Sequence, residues 1–323
     1  RYKMVGIRVF LFAILIDLLI GDPVWLPHPV VLMGKGIQRL EEKYRKLSGE
    51  DEKKLKIYGF VLVFWMLTAT IALSGIVFFA LQLLPGKVNK ICSALLISQL
   101  FAWHGLVRES MRVFYALKNE GLEGARKAVG RIVGRDTMEL SEEGIIKATV
   151  ETVAENFSDG IFAPMFYVIL GGPVLGYVYK VINTMDSMIG YKDKKYSSIG
   201  YAAAKLDDLA NFIPSRIAGL LIVLASFPSY SIKDAWKIFQ RDRFCHASPN
   251  SAQTESAVAG ALGIQLAGDA YYFGKKYEKP YIGDAMRKVE ERDIQRVNVL
   301  ISKSTLYGIV FLCGIYGILW YIF

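Results

Sequence analysis

The longest uncharged stretch of the chain constrains its fold more than any other feature. Residues 57–84 carry no charged side chain over 28 consecutive positions, and about 20 apolar residues are enough for a helix to cross a bilayer. Of the 323 residues, 53% are hydrophobic and the mean hydropathy is +0.31, yet 21% are charged. This combination excludes an ordinary soluble domain and favours an all-α, polytopic integral membrane protein with substantial polar segments.

Three further stretches are apolar enough to be membrane helices: residues 5–20, 91–107 and 304–323. The first could instead be the core of a signal peptide. A Pro-rich turn follows it, however, and no small-residue cleavage site does. We therefore expect a first, rather short, membrane helix there.

Two other apolar segments are interrupted. Residues 161–182 contain Pro164 and the break Gly171-Gly172-Pro173, which predicts either one kinked span or two half-helices. Residues 217–227 are apolar over only 11 positions, so they form half of a re-entrant pair or the core of a span with a snorkelling Arg216 at its entrance. In total we expect about four to six transmembrane or re-entrant helices.

The distribution of basic residues predicts the orientation. Residues 22–56 contain eight Lys or Arg, whereas the turn at 85–90 contains two. The positive-inside rule places 22–56 in the cytoplasm. It places 108–160 and 229–303 there as well, if residues 161–227 cross twice or not at all.

The segment 231–244 has the pattern of an amphipathic helix, with Ile232, Ala235, Trp236 and Phe239 on one face. This pattern fits an interfacial helix and a soluble helix on a cytoplasmic core equally well. We find no internal repeat and no separable linker. The sequence therefore predicts a single domain over residues 1–323.

Composition narrows the partners and the chemistry. The net charge of +9 fits anionic lipid or an anionic substrate; no basic-aromatic module indicates nucleic acid. Cys92, Cys245 and Cys313 form no C-x-x-C pair, so neither a disulfide framework nor a zinc site is expected. Glycine-rich phosphate loops and the G-x-S-x-G and H-E-x-x-H motifs are missing from the sequence. Any nucleotide should therefore bind through a metal, with carboxylates doing the acid–base work.

An acidic helix face precedes the segment 161–182. Glu151, Glu155 and Asp159 are spaced i, i+4 and i+8, which stacks them on one face of an α-helix next to Asn156. Like charges one turn apart are destabilising, so a cationic partner should meet them. We interpret this face as part of a metal or substrate site rather than as a solvated surface.

Two more polar clusters lie beside apolar segments. Asn183 and Asp186 are three residues apart, and Asp207 and Asp208 precede Asn211 by four and three residues. Carboxylates with amide carbonyls can hold Mg²⁺ while leaving positions for phosphate. Acids at a membrane edge are costly unless paired, which favours a functional interpretation.

Two motifs are weaker. In Pro27-His28-Pro29 the histidine is a rigid turn residue, which we favour, or a positioned ligand. In Gly134-Arg135-Asp136 the arginine is expected either to bind an anion or to form a buried ion pair with Asp136. The residues alone leave two classes of function open: a membrane enzyme that acts on a phosphorylated substrate with Mg²⁺, such as a prenyltransferase, or a transporter or regulatory membrane protein.

Taken in order, these motifs resemble the CobD/CbiB-type adenosylcobinamide-phosphate synthases of cobalamin biosynthesis. The resemblance covers nearly the whole chain. One departure follows Ser248-Pro249-Asn250, where Ser251-Ala252-Gln253-Thr254 stands before Glu255 in place of the family's Gly, aromatic and Pro. The motifs that carry the resemblance are Gly21-Asp22-Pro23, Pro27-His28-Pro29-Val30, Val133-Gly134-Arg135-Asp136-Thr137, Val153-Ala154-Glu155-Asn156, Asp159-Gly160, Asn183-Thr184, Asp186-Ser187-Met188 and Asp207-Asp208-Leu209-Ala210-Asn211.

The resemblance implies an ATP-dependent amide ligation. A propionate carboxylate of adenosylcobyric acid would be joined to the amine of an aminoalcohol phosphate such as aminopropanol phosphate, through an acyl phosphate. ATP and Mg²⁺ are the implied cofactors. A corrinoid, an aminoalcohol phosphate and membrane lipid are the implied partners, with other nucleotide-loop assembly enzymes and a homo-oligomer left open. The site would face the cytoplasm from a multi-pass protein of the cell membrane.

The resemblance also implies roles for individual residues. Arg135, Lys192 and Arg216 would bind phosphate groups, and Glu151 or Asp186 would act as the general base. The implied catalytic residues are Glu151, Glu155 and Asp186. The implied metal ligands are Glu155, Asp159, Asp207 and Asp208. The implied substrate-binding residues are His28, Arg135, Asn156, Asn183, Lys192, Asn211, Arg216 and Asn250.

Overall fold

Helices account for most of the chain. A computed structural model describes residues 6–23, 27–191, 193–272 and 275–322. The helices are α1 (Ile7–Ile20), α2 (Pro29–Ser48), α3 (Glu52–Gln82), α4 (Gly86–Ser98), α5 (Trp103–Asn119), α6 (Gly121–Val129), α7 (Glu142–Asn156), α8 (Ala163–Ile189), α9 (Tyr201–Ala210), α10 (Phe212–Ala225), α11 (Ile232–Asp242), α12 (Ser251–Leu262) and α13 (Asp293–Ile322). A π-helical segment, Phe157–Phe162, joins α7 to α8.

Sheet is confined to two small antiparallel pairs within the described residues. The strands are β1 (Leu266–Ala267), β2 (Ala270–Tyr272), β3 (Lys275–Tyr277) and β4 (Tyr281–Ile282). Strand β1 pairs with β4, with Ala267 opposite Tyr281, and β2 pairs with β3. The all-α class predicted from the sequence is therefore confirmed.

The chain divides into two compact units. The first comprises Arg1–Ala102, Ala163–Asn211 and Leu312–Phe323, and the second comprises Trp103–Phe162 and Phe212–Phe311. Both are built from separated stretches, so no linker in the sequence could mark the division. The single domain predicted from the lack of a linker stays a prediction.

Four helical stretches are long and apolar enough to cross a membrane: Glu52–Gln82, Gly86–Asn119, Glu142–Ile189 and Asp293–Ile322. Helices α9 and α10, bent by 49° at their junction, could form a fifth. The expected number of about four to six is confirmed by length and composition.

Helix α1 corrects one prediction. It has 14 residues and therefore rises only about 21 Å, whereas the hydrocarbon core of a bilayer is about 30 Å thick. The predicted first span, residues 5–20, is thus too short to cross as a straight helix. One side of α1 is buried through Phe10, Ala13 and Ile14.

The break predicted within 161–182 is present in α8. Gly171 and Gly172 leave the helical conformation, and Gly172 has φ of 73° and ψ of −172°, which only glycine adopts without strain. Pro173 follows directly and suits the first turn of the second half-helix, where its missing N–H costs nothing. The backbone of this segment therefore consists of two half-helices that meet at Gly171 and Gly172.

The core of the second unit is built around α12. All 12 residues of this helix are buried, and most of its side chains are small. Helices α7, α10 and α11 pack against it. An added Cβ on Gly260 would lie 2.6 Å from the carbonyl oxygen of Asp234 and 2.8 Å from the Cα of Ala235 on α11, so the two helix backbones lie unusually close.

Helix α11 is the amphipathic helix predicted from residues 231–244. Ala235 and Phe239 are buried, whereas Ile232 and Trp236 are 39% and 41% exposed. Part of the predicted apolar face therefore packs on the protein core, and the other part stays exposed. Both alternatives that the sequence left open fit this arrangement.

We expect Gly260→Ala to destabilise the second unit by about 1–3 kcal/mol, because the new methyl group overpacks the contact between α11 and α12. Thermal unfolding of the detergent-solubilised chain measures this loss. Gly75→Ala on α3 is the matched control: its Cβ would meet no atom within 4 Å, and alanine favours a helix. Equal melting temperatures for the two variants would contradict the close approach.

Candidate functional site

A group of charged side chains in the second unit, Arg135, Glu151, Glu155 and Glu255, forms what we call the carboxylate cluster. Glu151 and Glu155 are one turn apart on α7 and lie on one face. Ser251 and Glu255 are likewise one turn apart on α12, which packs against α7. Each of the two helices thus contributes two polar side chains, spaced one turn apart, to the contact between them.

Glu151 is fully engaged. The Arg135 Nη2 donates to Glu151 Oε2 at 2.7 Å, and the backbone N–H of Ala267 donates to Glu151 Oε1 at 2.8 Å. Arg135 and Glu151 are only 13% and 14% exposed. The expectation that a cation meets the acidic face of α7 is therefore confirmed, and Arg135 supplies it.

The N–H group that binds Glu151 is held in place by the small sheet. Ala267 has φ of 58°, a left-handed conformation that costs a non-glycine residue about 1–2 kcal/mol. Its strand β1 pairs with β4. Directly after β4, the N–H of Gly283 donates to Asp242 Oδ2 at 2.7 Å. The sheet thereby holds a backbone donor against the carboxylate of Glu151.

Asp242 anchors this arrangement from α11. Its carboxylate also accepts hydrogen bonds of 2.7 and 2.8 Å from Arg241. Burial alone would raise the pKa of Asp242, but the hydrogen bonds from Arg241 and Gly283 hold that pKa below its ordinary value. Asp242 therefore stays ionised as a fixed acceptor for the loop.

Glu155 and Glu255 are less fully engaged. The Ser251 hydroxyl donates to Glu155 Oε1 at 2.7 Å. Glu255 is 4% exposed, and its carboxyl group makes no hydrogen bond within the described part of the chain. Burial, and then the negative charges of Glu151 and Glu155, raise the pKa of Glu255 well above its ordinary value against the opposing charges of Lys279 and Arg135.

Asp159 lies beyond the end of α7, in the π-helical segment, whose turns are wider than those of an α-helix. Like Glu151 and Glu155 it is half-buried. The common face of the three acids stays a prediction. Asn156 lies at the end of α7, where its side chain donates to the carbonyl oxygen of Thr152 at 2.9 Å.

Arg216 and Asn250 meet in the second unit. Asn250 is buried, and its Oδ1 accepts from Ser215 at 3.2 Å and from Arg216 at 3.3 Å. Arg216 also donates to the carbonyl oxygen of Phe212 at 2.6 Å. These contacts join α10 to the residue that precedes α12.

The first unit contains the other predicted carboxylates. Asp207 is buried, accepting from Asn211 at 3.0 Å and, more weakly, from Asn183 at 3.5 Å. The Tyr179 hydroxyl donates to Asn211 at 2.8 Å, and the carboxylate of Asp186 acts electrostatically on Asp207. The sequence clusters 183–186 and 207–211 are therefore brought together.

A cavity of about 880 Å³ lies in the same unit, with Asp22, His28, Lys180 and Asn183 among its lining residues. His28 is the N-cap of α2: its Nδ1 accepts from the N–H of Val30 at 3.3 Å, and its Nε2 lies 3.3 Å from Asp22. His28 therefore has the position of a turn residue that caps a helix, and it also lines this cavity. Its role as a ligand stays a prediction. Lys192 lies outside the described residues.

The predicted metal ligands belong to different units. Glu155 and Asp159 are in the second unit, and Asp207 and Asp208 are in the first. Asp208 lies 3.6 Å from Lys205. Within the described ranges, no three His, Cys, Asp or Glu side chains are placed to hold a metal ion.

Sequence reasoning missed three members of the site. Ser251 stands where the chain departs from the family pattern, Glu255 follows that departure directly, and Ala267 contributes only its backbone N–H. A signal for the first two was present, because they are spaced i, i+4 just after a Pro-Asn pair. Nothing in the sequence marks Ala267.

The chain is similar to known proteins over most of its length. A family model described as CobD/Cbib protein matches residues 10–301. A protein named cobalamin biosynthesis protein CobD from Clostridium perfringens (strain 13 / Type A) is 45% identical over 91% of this chain and 93% of its own length. The protein of that name from Streptococcus sanguinis (strain SK36) is 45% identical over 95% and 96%. No solved structure matches the chain significantly.

Replacing Glu255 by Gln should raise stability at neutral pH. The pKa of Glu255 is higher in the folded than in the unfolded chain. Its contribution to the free energy of unfolding is therefore fully present below the unfolded pKa of about 4.3 and is lost as the pH rises through the folded pKa. Each unit by which the folded pKa exceeds the unfolded pKa corresponds to about 1.4 kcal/mol. Gln cannot ionise, so the gain in melting temperature of Glu255→Gln over the native chain should grow as the pH rises above the unfolded pKa of Glu255 and level off above its folded pKa.

The control is Glu143→Gln, which removes the same charge from an exposed position on α7. Glu143 forms a surface ion pair with Lys147 at 2.7 Å, and exposed pairs are worth only about 0.2–1 kcal/mol. The melting temperature of Glu143→Gln should therefore stay close to that of the native chain. A pH-independent effect of Glu255→Gln would contradict the raised pKa.

Proposed function

The chain belongs to the CobD/CbiB family of cobalamin biosynthesis proteins, and we propose that it catalyses the ATP-dependent ligation of an aminoalcohol phosphate to a propionate carboxylate of adenosylcobyric acid. The product is adenosylcobinamide phosphate. The observation that carries this proposal is the family match over most of the chain, together with a buried cluster of carboxylates suited to receiving an amine.

The reaction needs activation because an unactivated carboxylate is a poor acyl donor to an amine. In the proposed sequence the propionate attacks the γ-phosphorus of ATP, which forms an acyl phosphate and releases ADP. The deprotonated amine then attacks the acyl carbon, the amide C–N bond forms, and inorganic phosphate leaves with the electron pair of the broken C–O bond.

The carboxylate cluster suggests how the chain handles the amine. Arg135 already neutralises Glu151, so Glu151 is a weaker candidate for the general base than the sequence suggested. Glu155 keeps one oxygen without a hydrogen bond from the described residues and is our preferred proton acceptor. Asp186 and Asn183 remain the candidate polar groups of the first unit.

Mg²⁺ fits the donor chemistry of the first unit, because hard cations prefer oxygen ligands. Asp207 provides a buried carboxylate with Asp186 close enough to act on it. We propose that Asp207 and Asp186 would supply the protein's carboxylates to the ion, with phosphate oxygens and water as its other ligands. When bound, Mg²⁺ would neutralise charge on the phosphate oxygens.

The purified chain, supplied with adenosylcobyric acid, aminopropanol phosphate, ATP and Mg²⁺, should form ADP and the amide in equal amounts, measured by chromatography and mass spectrometry. Omission of any one component should abolish both products. Glu155→Gln should lower the rate about 100-fold or more, as expected for the loss of general-base catalysis. The exposed Glu143→Gln should react at the native rate.

Other outcomes would point elsewhere. ATP turnover that ignores the corrinoid would contradict the ligase, and release of pyrophosphate from an isoprenoid donor would indicate a prenyltransferase. Movement of the corrinoid across vesicles without amide formation would indicate a transporter.

A further inference from the structure

We propose that Glu255 and Glu155 form a binding site for a primary ammonium group, the amine end of the second substrate. The identity of that amine as an aminoalcohol phosphate rests on the proposed function. The ammonium site itself rests on the hydrogen bonds, burial and charges of the carboxylate cluster.

The number of open acceptors matches an ammonium group. Both oxygens of Glu151 accept hydrogen bonds from Arg135 and Ala267. Within the described residues, Glu155 accepts one, from Ser251, and Glu255 accepts none. Three carboxylate oxygens are thus open, and a primary ammonium offers three N–H donors.

The charge of the cluster also matches. Without a ligand, burial and the neighbouring acids raise the pKa of Glu255 and favour its protonated form. Once Glu255 is ionised, three carboxylates face the two cations that act on it, Arg135 and Lys279, which leaves one negative charge in excess. A buried carboxylate without a compensating partner is costly. One ammonium group would bring the cluster to neutrality, whereas a divalent cation would overshoot it.

Helix geometry places Glu155 and Glu255 near each other, close enough for the charge of Glu155 to act on Glu255. Glu255 is one turn beyond Ser251 on α12, and Ser251 holds Glu155 through its hydroxyl group. Glu255 is only 4% exposed, so it is shielded from water on a helix that is buried throughout. A small cation entering this space would gain charge-assisted hydrogen bonds, which are the strong ones.

The test compares two probes that differ only in the amine. Binding of 1-amino-2-propanol phosphate and of 1,2-propanediol phosphate, in which a hydroxyl replaces the amine, is measured by calorimetry on the full chain in detergent, without ATP or corrinoid. The native chain should prefer the amine. Glu255→Gln should reduce that preference about 10- to 100-fold, the range of a hydrogen bond to a charged group, and leave the affinity for the diol phosphate unchanged.

Two further variants serve as controls for the effect of Glu255→Gln. Glu255→Asp keeps the charge and should retain more of the amine preference than Glu255→Gln, which a purely structural role would not produce. Glu143→Gln, with the same loss of charge at an exposed position of α7, should keep the full preference.

Several results would overturn the proposal. The first is a native chain that binds both probes equally. The second is a Glu255→Gln variant that keeps the native preference for the amine. The third is a Glu255→Gln variant that loses affinity for Mg²⁺ while its preference for the amine is unchanged. Failure of the ligase is distinguishable from these results. A native chain that forms no amide but prefers the amine through Glu255 would refute the proposed function and leave the ammonium site standing.

Discussion

The close packing of α12 against its neighbours is the interaction on which the second unit depends. Because its residues are mostly small, the helix is buried along its whole length and approaches the backbone of α11 at Gly260. Such packing leaves little room for relaxation, since protein interiors are as dense as organic crystals. It also carries Ser251 and Glu255 into the interior, opposite the acids of α7. The site is a consequence of how this helix is buried.

Burying a carboxylate costs free energy, and the surrounding structure compensates this cost for some of the buried carboxylates more than for others. Arg135 and a backbone N–H neutralise and orient Glu151, and the backbone donor is supplied by Ala267 in a strained conformation. A strained backbone conformation persists only where neighbouring contacts hold it in place. Here the pairing of β1 with β4 and the hydrogen bond from Gly283 to Asp242 hold it. Glu255 accepts no hydrogen bond from the described residues, although the charges of Lys279 and Arg135 act on it. A buried acid that lacks hydrogen-bond partners, beside acids that have them, is the pattern expected where a ligand completes the site.

The long apolar stretches are interrupted next to their polar residues. The π-helical segment follows Glu155, and the glycine break in α8 precedes Asn183. In a membrane protein, irregular backbone is tolerated only where its polar groups find partners in protein or in a cavity. Such interruptions are frequent at functional sites in helices generally. In the first unit, Asp207, Asn211 and Tyr179 form a connected polar network of this kind.

The sequence by itself determined the helical class, the approximate number of long apolar helices, the break at Gly171 and Gly172, and a cation opposite Glu151, because each follows from local spacing, composition or charge. It could not determine the true length of α1 or the π-turn at Asp159, since both depend on where packing ends a helix. It also could not identify Ala267, which acts through its backbone, or the importance of Glu255. Whether an acid is solvated or buried without a partner depends on residues distant in the chain, and only the tertiary structure brings α12, β1 and α7 together.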